Sequence, residues 1–418
     1  MRINRHYAPA AQAIDGPAHG GFWTMASIAS SGWIVDADGH VLEPPDVWQR
    51  YADPAYRERA IRVSRTDDGR DALLIDGKPA RLTTSEMLGG LGGMGKTLDE
   101  LAVASLSGRY AENTPAAAVD SRARLALLDR EGISHAILYP SLGLQWEAEI
   151  RDAPYALAQC RAYNRWIEDF CAGSQGRLVP IAHLSLGDPV AAAAELRRAV
   201  AAGARGGFLL PFTLSGLPHG HPDHDPLWAA ACDLGVPIAL HTGVDPPARS
   251  LHHRFDGLSW PEAVPAGIWY LQLMFTQAIQ QAFSTFLQFA TFDRFPTLKL
   301  VLLEAGAGWI GAWLDRMDAF YKGPLRVTLS LRECPSTYVR RQCWISGDPD
   351  EASLPAAIAC VGADRFFWAS DFPHSDHDGR YMDELRALSR SLDANARRLL
   401  TGENAARAYD LAPAALRG

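Results

Sequence analysis

Apolar positions along this chain follow two rhythms. Short, nearly continuous apolar runs recur at 34–40, 133–139, 178–186, 207–210, 236–240, 298–303, 342–346 and 366–369. Runs of this length without polar alternation predict strands buried on both faces. Between them lie stretches with helical spacing, at 119–131, 151–173, 188–202, 225–234, 275–294, 308–321 and 350–361, with two more at 380–391 and 395–409. Asp188-Pro189 and Asp225-Pro226 each offer an N-cap followed by proline at the first helical position, and Gly132 supplies a helix stop. Eight strands, each followed by a helix, predict a parallel sheet with helices outside. No G-x-G-x-x-G follows the first strand, so the pattern favours an α/β chain folded as a (β/α)8 TIM barrel over an open doubly wound sheet.

One stretch breaks the rhythm. Pro44-Pro45 stops the first strand, and the regular alternation resumes only near residue 119. Within the gap, 61–64 and 72–75 flank Asp67-Asp68-Gly69 and predict a hairpin. Gly89 to Gly95 form a glycine cluster, and Gly90, Gly95, Lys96 and Thr97 match the spacing of a phosphate-binding loop. No apolar strand leads into it, since Leu82-Thr83-Thr84-Ser85-Glu86 is polar, so a mobile flap is the expectation. The expected organisation is therefore a poorly ordered N-terminal extension at 1–30, the first barrel strand and exit loop at 31–54, a cap inserted after strand one at 55–118, and the rest of the barrel at 119–418.

Composition narrows the class. The chain has 418 residues, 48% hydrophobic and 21% charged, as soluble globular proteins do. A formal net charge of −8 argues against nucleic acid or an anionic membrane as partner. No apolar run is long enough to span a bilayer. Six scattered cysteines without a C-x-x-C pair point to reduced thiols and a cytoplasmic location. A small-molecule substrate and a homodimer or higher homo-oligomer are the expected partners.

The chemistry gathers where barrel strands end, the face on which such barrels build active sites. Strand one ends in Asp36-Ala37-Asp38-Gly39-His40, and alternation puts Asp36, Asp38 and His40 on one face. Buried carboxylates and an imidazole there require compensation, which a divalent cation provides. Strand five ends in His241, strand six in Glu304, and strand eight in Ser370-Asp371-Phe372-Pro373-His374. The nitrogen and oxygen donors suit Zn, Mn or Fe more than a thiolate-preferring metal. Around this set, Glu43 either reaches the pocket or caps a turn, and His183 either lines the barrel and touches substrate or is a packed core residue. His219, His221 and His224 sit beside Asp223 and Asp225 in a loop that reads as helix capping. The loop at 244–274 carries Arg249, His252, His253, Arg254, Phe255, Trp260, Trp269 and Tyr270, which suit an aromatic or apolar substrate with an acidic handle for Arg254.

Three stretches carry a resemblance. Asp36 to Pro44, Phe295 to Val301 running into Glu304-Ala305-Gly306-Ala307-Gly308-Trp309, and Ala369 to His374 resemble the amidohydrolase superfamily, in its aminocarboxymuconate-semialdehyde decarboxylase-like branch. The resemblance implies that Asp38, His40, His241 and Asp371 hold one divalent metal ion, with Asp38 standing where the family has histidine. The strand-six position that is a catalytic histidine in those decarboxylases is Glu304 here. Glu304 is then a general base, a metal ligand, or the bridge to a second ion, and His374 orients water or substrate. The activity implied is metal-dependent hydrolysis of an amide, ester, lactone or thioester, with Asp371 or Glu304 taking the proton of water. The alternative is non-oxidative decarboxylation of an unsaturated or aromatic acid. A metal-free barrel acting as a binding protein is the third reading.

Overall fold

The computed structural model describes residues 33–249 and 268–412. The expectation for 1–30, and the substrate role expected of Arg254, lie outside the described residues, as do His252, His253, Phe255 and Trp260.

Short apolar runs become strands where they were expected. They are β1 (Val35–Val41), then, beyond three antiparallel strands β2 (Arg62–Arg65), β3 (Asp71–Ile75) and β4 (Lys78–Pro79), β5 (His135–Pro140), β6 (Leu178–Pro180), β7 (Ala182–His183), β8 (Gly207–Leu209), β9 (Pro237–Leu240), β10 (Lys299–Leu302), β11 (Cys343–Gly347) and β12 (Phe366–Trp368). The run at 178–186 is two short strands parted at Ile181. One parallel sheet has the order β1-β5-β6 and the other β12-β11-β10-β9-β8-β7. Past β12 the chain returns to β1, where Asp371 N donates to Asp38 O (3.0 Å) and His40 N donates to Phe372 O (2.7 Å).

Alternation along these strands divides the core. Val35, Ala37, Ile137, Tyr139, Val179, Ile181, Phe208, Ala239, Val301 and Phe367 pack with one another. Their neighbours, such as Ala136, Leu138, Ile238, Leu240, Leu300 and Leu302, pack in the larger cluster with helical residues such as Ala162, Leu196 and Ile310. Helices connect successive strands, among them Ser121–Glu131, Ala153–Cys171, Pro189–Ala201, Asp225–Leu234 and Trp309–Lys322; the expected caps Asp188 and Gly132 close two of their ends, while Asp225, expected as an N-cap, is the first helical residue after His224. A helix at Pro335–Gln342 has no counterpart in the expected pattern. The last helical stretch runs as Ala394–Arg398, a π turn at Leu399–Glu403, and Asn404–Ala408.

The one-face reading of Asp36, Asp38 and His40 fails at a bulge. Val35 and Asp36 pair with His135 and Ala136, but Gly39 and His40 pair with Leu138 and Tyr139, so β1 has one residue more than its partner. A bulge reverses which side chains face inward beyond it. Val35 and Ala37 face the inner cluster before it, and Asp38 and His40 turn to the rim after it. Asp36 points the other way, accepting from Ser370 N (3.0 Å) and Ser370 Oγ (2.7 Å), 3.9 Å from the Arg124 guanidinium. Arg124 is itself buried, donates to His40 O (2.8 Å) and lies over the Phe372 ring.

Residues 62–79 form the expected hairpin, β2 antiparallel to β3, with β4 added at the edge. Helices Ser85–Gly90 and Leu98–Ser107 follow. The glycine cluster serves close backbone approach. A Cβ at Gly89 would lie 2.4 Å from Ala104 O, and one at Gly93 would lie 2.9 Å from Ser375 Cβ. Thr97 is a helix N-cap boxed with Glu100, so its hydroxyl is engaged, and Met94 N donates to Pro373 O (3.1 Å). The cluster thus packs this segment onto the loop after β12.

Gly39 leaves no room for a side chain: a Cβ there would sit 2.6 Å from both Arg124 and Asp36 Oδ2. We expect Gly39→Ala to lower stability by ~1–3 kcal/mol, the usual cost of overpacking, read as a reduced urea midpoint with unchanged slope. An unchanged midpoint would mean the Asp36–Arg124 pair does not confine β1.

Candidate metal centre

Each strand end contributes a donor because of local backbone geometry. Beyond its bulge, β1 delivers Asp38 and His40. His241 follows β9 directly. Glu304 and Asp371 end the β10 and β12 segments with left-handed backbones, φ 49 and 52 degrees. Such values in non-glycine residues cost free energy and gather at functional sites. They turn each carboxylate out of the strand line toward the rim.

The donors converge. His40 Nε2 lies 3.5 Å from Asp38 Oδ1, 3.2 Å from Asp371 Oδ1 and 3.3 Å from His241 Nε2. His241 Nε2 lies 3.3 Å from Asp38 Oδ1 and 3.4 Å from Glu304 Oε2. The two imidazoles are fixed from behind, His40 Nδ1 to Pro140 O (2.8 Å) and His241 Nδ1 to Thr242 O (2.9 Å). A carbonyl only accepts, so both Nδ1 atoms carry hydrogen, and two neutral rings would point Nε2 lone pairs at each other. Asp38 Oδ1 and Asp371 Oδ1 are buried and lack any hydrogen-bond partner. Lone pairs and carboxylate oxygens facing one another in a buried site require a proton or a cation between them. Asp38, His40 and His241 can present one donor atom each to a common ion, as can His40, Asp371 and His374, and Glu304, Asp371 and Asp376. Two carboxylates with two imidazoles suit Mn2+, Zn2+ or Fe2+.

Electrostatics agree. Burial pushes His241 down, but Asp38 and Glu304 beside it outweigh that and carry it up to about 9. Burial, with His374 and His241 nearby, holds His40 well below the usual imidazole range. Burial and the neighbouring Asp376 and Glu304 carboxylates raise Asp371 well above the carboxylate range. Burial lifts Glu304 to about 8, against the pull of His241. Thr242 Oγ1 donates to Glu304 Oε2 (2.9 Å). His374 sits 2.7 Å from Asp371 Oδ1 through Nδ1 and 2.8 Å from Ser141 Oγ through Nε2, its ring 4.1 Å from that of His40.

Other expected residues lie elsewhere. Glu43 is buried with its carboxylate accepting from Ser141 N (3.2 Å), Leu142 N (2.9 Å) and Gly143 N (2.8 Å), which is the capping role rather than a substrate contact. His183 is stacked on Phe208 (4.5 Å) and held by Glu147 through Nε2 (3.2 Å), and Phe208 in turn meets His241 only at 6.3 Å. His183 therefore stands behind Phe208, outside the converging donors. Of the three loop histidines only His221 caps a helix, accepting from Asp223 N, while His219 and His224 are buried and engaged by Leu210 O, Ser215 Oγ and His219 O.

Sequence reasoning missed two carboxylates. Asp348 follows β11, and reading that strand end like the other four would have found it. Burial, with Glu351 and Asp350 near it, lifts it to about 7. Asp376 is exposed in the loop after β12, yet reaches Glu304 and Asp371, and no strand rule points to it. Leu82, Met87, Ala148, Phe212, Val244 and Phe275 form a separate apolar cluster joining the 55–118 segment to the segments after β5, β8 and β9.

Comparison with known proteins adds the lineage. Residues 124–411 match the family model described as amidohydrolase. The gamma-resorcylate decarboxylase of Rhodococcus jostii (strain RHA1) is 31% identical over 278 residues, covering 62% of this chain and 80% of that protein. The gamma-resorcylate decarboxylase of Rhizobium radiobacter is 28% identical over 267 residues, covering 61% of this chain and 77% of that one. Among solved structures, amidohydrolase map2389c from Mycobacterium avium subsp. paratuberculosis K-10 shares the fold at a TM-score of 0.72 and 22% identity, over 90% of this chain and 99% of that one.

With His241 titrating near 9, the metal-free centre carries a proton where an ion would sit. We expect metal-stripped protein to release at least one proton per Mn2+ bound at pH 7.5, from His241 and from any Asp371 carboxyl still protonated there, with affinity falling at least about tenfold per pH unit below that, because ion and proton compete. Calorimetric titration in buffers of different ionisation enthalpy measures both. No proton release would mean that His241 is neutral in the free protein. The same groups set the stability of the metal-free form. His241, Glu304 and Glu43 all have folded values above their ordinary ones, the last at about 7 by burial. Their contribution is complete below the unfolded values and is lost as pH rises through about 7 to 9. We expect the Tm of chelator-treated protein to fall between pH 6.5 and 9, and Mn2+ to flatten that decline.

Proposed function

Since the chain belongs to the amidohydrolase family and is a metal-dependent enzyme of it, we propose that it catalyses non-oxidative decarboxylation of a hydroxylated aromatic acid. The observation that carries this reading is the pairing of a buried two-imidazole, two-carboxylate cluster with relatives named as gamma-resorcylate decarboxylases over most of their length. The hydrolytic reading drew on the strand-six glutamate in place of histidine. The protonation of that glutamate weighs the other way: hydrolysis wants a base beside the cluster, and loss of carbon dioxide wants an acid.

Asp38, His40, His241 and Asp371 would hold one divalent ion, which supplies the positive charge that the substrate carboxylate and an adjacent hydroxyl need as they bind. Glu304, which burial raises to about 8 in the ion-free protein, is the general acid. Thr242 Oγ1 donates to its Oε2, leaving Oε1 to carry the proton. That proton goes to the ring carbon as its bond to the carboxyl carbon breaks and carbon dioxide departs, so the product is the corresponding phenol and Glu304 is left ionised. Leu82, Met87, Phe212, Val244 and Phe275 would receive the ring and keep water from the reacting carbon. Asp376 and Glu304 allow a second ion to share Asp371, but one ion already answers the unpartnered oxygens of Asp38 and Asp371.

The two parallel sheets are read as one closed (β/α)8 barrel, supported by the hydrogen bonds from the β12 segment to β1 and by the single residue between β6 and β7. Residues 55–118 are read as a cap on its mouth, supported by their contact with the loop after β12 through Met94 and with the apolar cluster through Leu82 and Met87.

We expect the Mn2+-loaded enzyme to release carbon dioxide from gamma-resorcylate or a related 2-hydroxybenzoate. Glu304→Gln should slow this by ~100-fold to 10,000-fold, the usual worth of a general acid, while still binding Mn2+. Headspace carbon dioxide and product chromatography read the outcome. Ester or amide cleavage with oxygen-18 taken up from water, and no carbon dioxide from any acid tested, would return the assignment to hydrolysis.

A further inference from the structure

The loop after β5 carries a side chain whose only hydrogen-bond partner among the described residues is the histidine beside the candidate metal centre. Ser141 is fully buried, and its Oγ lies 2.8 Å from His374 Nε2. The other ring nitrogen, Nδ1, lies 2.7 Å from Asp371 Oδ1. We propose that Ser141 is a positioning residue for the metal centre: its hydroxyl locks the His374 ring with Nδ1 toward Asp371, and Glu43 locks the hydroxyl. The inference rests on Asp371 being an ion ligand, as in the reading above.

The hydrogen-bond roles follow from what each atom can do. As an ion ligand Asp371 is a carboxylate, and its charge 2.7 Å from Nδ1 favours the tautomer with hydrogen on Nδ1, although Asp371 Oδ1 accepts no hydrogen bond among the described residues. Nε2 of the neutral ring then offers a lone pair, and Ser141 O–H donates to it. A flipped ring would put carbon where Ser141 Oγ now meets Nε2. The two rings lie close, centroids 4.1 Å apart and tilted 36 degrees, so His374 also sets one wall of the space His40 occupies.

Ser141 is held from the neighbouring strand, since β1 pairs directly with β5. Its own N–H and those of Leu142 and Gly143 donate to the Glu43 carboxylate, three residues past His40 in the chain. Tyr110 Oη donates to Glu43 O (2.9 Å), which fixes the backbone there. Gly143 is required for the approach, since a Cβ would meet Pro140 Cβ at 2.5 Å. A side-chain path therefore runs from the end of strand one, through Glu43, the loop and Ser141, to His374 and Asp371 beyond β12. Polar groups behind metal ligands fix ring orientation and tune the ion in just this arrangement, and their loss costs about 10-fold to 100-fold in affinity or activity. The path explains why a buried carboxylate is tolerated at Glu43: its charge is spent on three amides that would otherwise be free to move the hydroxyl.

The test compares wild type with Ser141→Ala, Ser141→Thr and Ser141→Cys. Nitrogen-15 imidazole spectra of the Zn2+-loaded proteins report the His374 tautomer, with His374→Gln used to assign its signals. Calorimetry of the metal-stripped proteins with MnCl2 reports affinity. We expect one tautomer, protonated at Nδ1, in wild type and Ser141→Thr. Ser141→Ala should give mixed tautomers, an Mn2+ Kd raised about tenfold, and a fall in kcat with KM changed less than about twofold. Ser141→Cys keeps the volume with a weak donor and should follow Ser141→Ala, so it serves if the alanine variant fails to fold. A wild-type tautomer and a wild-type Kd in both variants would overturn the proposal. If no acid is decarboxylated by wild type but Kd and tautomer still respond to Ser141, the reaction assignment falls and the positioning role stands.

Discussion

Two imidazole nitrogens with their lone pairs turned toward each other, 3.3 Å apart and out of contact with water, set the problem that the rest of this structure answers. Neither ring can rotate away, because each has its other nitrogen tied to a backbone carbonyl. The carboxylate oxygens of Asp38 and Asp371 join them without any donor of their own. An arrangement like this is costly when empty of positive charge and stable when filled, so the chain stores in its fold a demand for a cation. The demand also explains the perturbed protonation around it. His241 is pulled up by two carboxylates, while Asp371 and Glu304 are pushed toward their neutral forms by burial and by each other.

Meeting that geometry requires departures from regular backbone. A strand without the bulge would present Asp36 with Asp38 and His40 on one face, and the outer layer would receive all three. The extra residue in β1 hands Asp36 to Ser370 and Arg124 and keeps the other two for the rim. At the ends of the β10 and β12 segments, a left-handed residue turns a carboxylate inward. Each departure costs stability locally. The surroundings hold them in place: Thr242 and Ser346 on Glu304, and the Asp38 and His40 backbones on the Asp371–Phe372 segment.

How much of this the sequence disclosed depended on the length scale of the signal. Strand and helix alternation is written in periodicity, and each of the eight expected runs holds parallel strand, the 178–186 run as two short pieces. His40, His241, Glu304 and Asp371 were legible because a strand end followed by glycine, or by Ser-Asp-Phe-Pro, is a local pattern. The bulge was not legible, since register depends on a partner strand about a hundred residues away. Ser141 and Glu147 carry no local sign of their roles for the same reason: each acts on a histidine brought to it by the fold. The glycine cluster at 89–95 was misleading in its spacing and correct in its context. Its phosphate-loop pattern is present, but without a preceding strand, and the glycines serve backbone contact with Ala104, Gly108 and Ser375.

The change from histidine to glutamate at strand six then acquires a chemical meaning. A neutral imidazole can give a proton only when first charged, which a buried site beside a cation resists. A carboxylic acid gives its proton from the neutral form, and burial is what keeps it neutral. In a site already crowded by Asp38, Asp348, Asp371 and Asp376, a further ionised carboxylate would be the least favourable addition, and a protonated one costs little. The same crowding that makes the centre require a cation favours the neutral form of this carboxyl in the ion-free protein, which is the form the proposed acid needs. On this argument cation binding and proton delivery are linked features of one electrostatic arrangement, and exchanging Glu304 for histidine would alter both together.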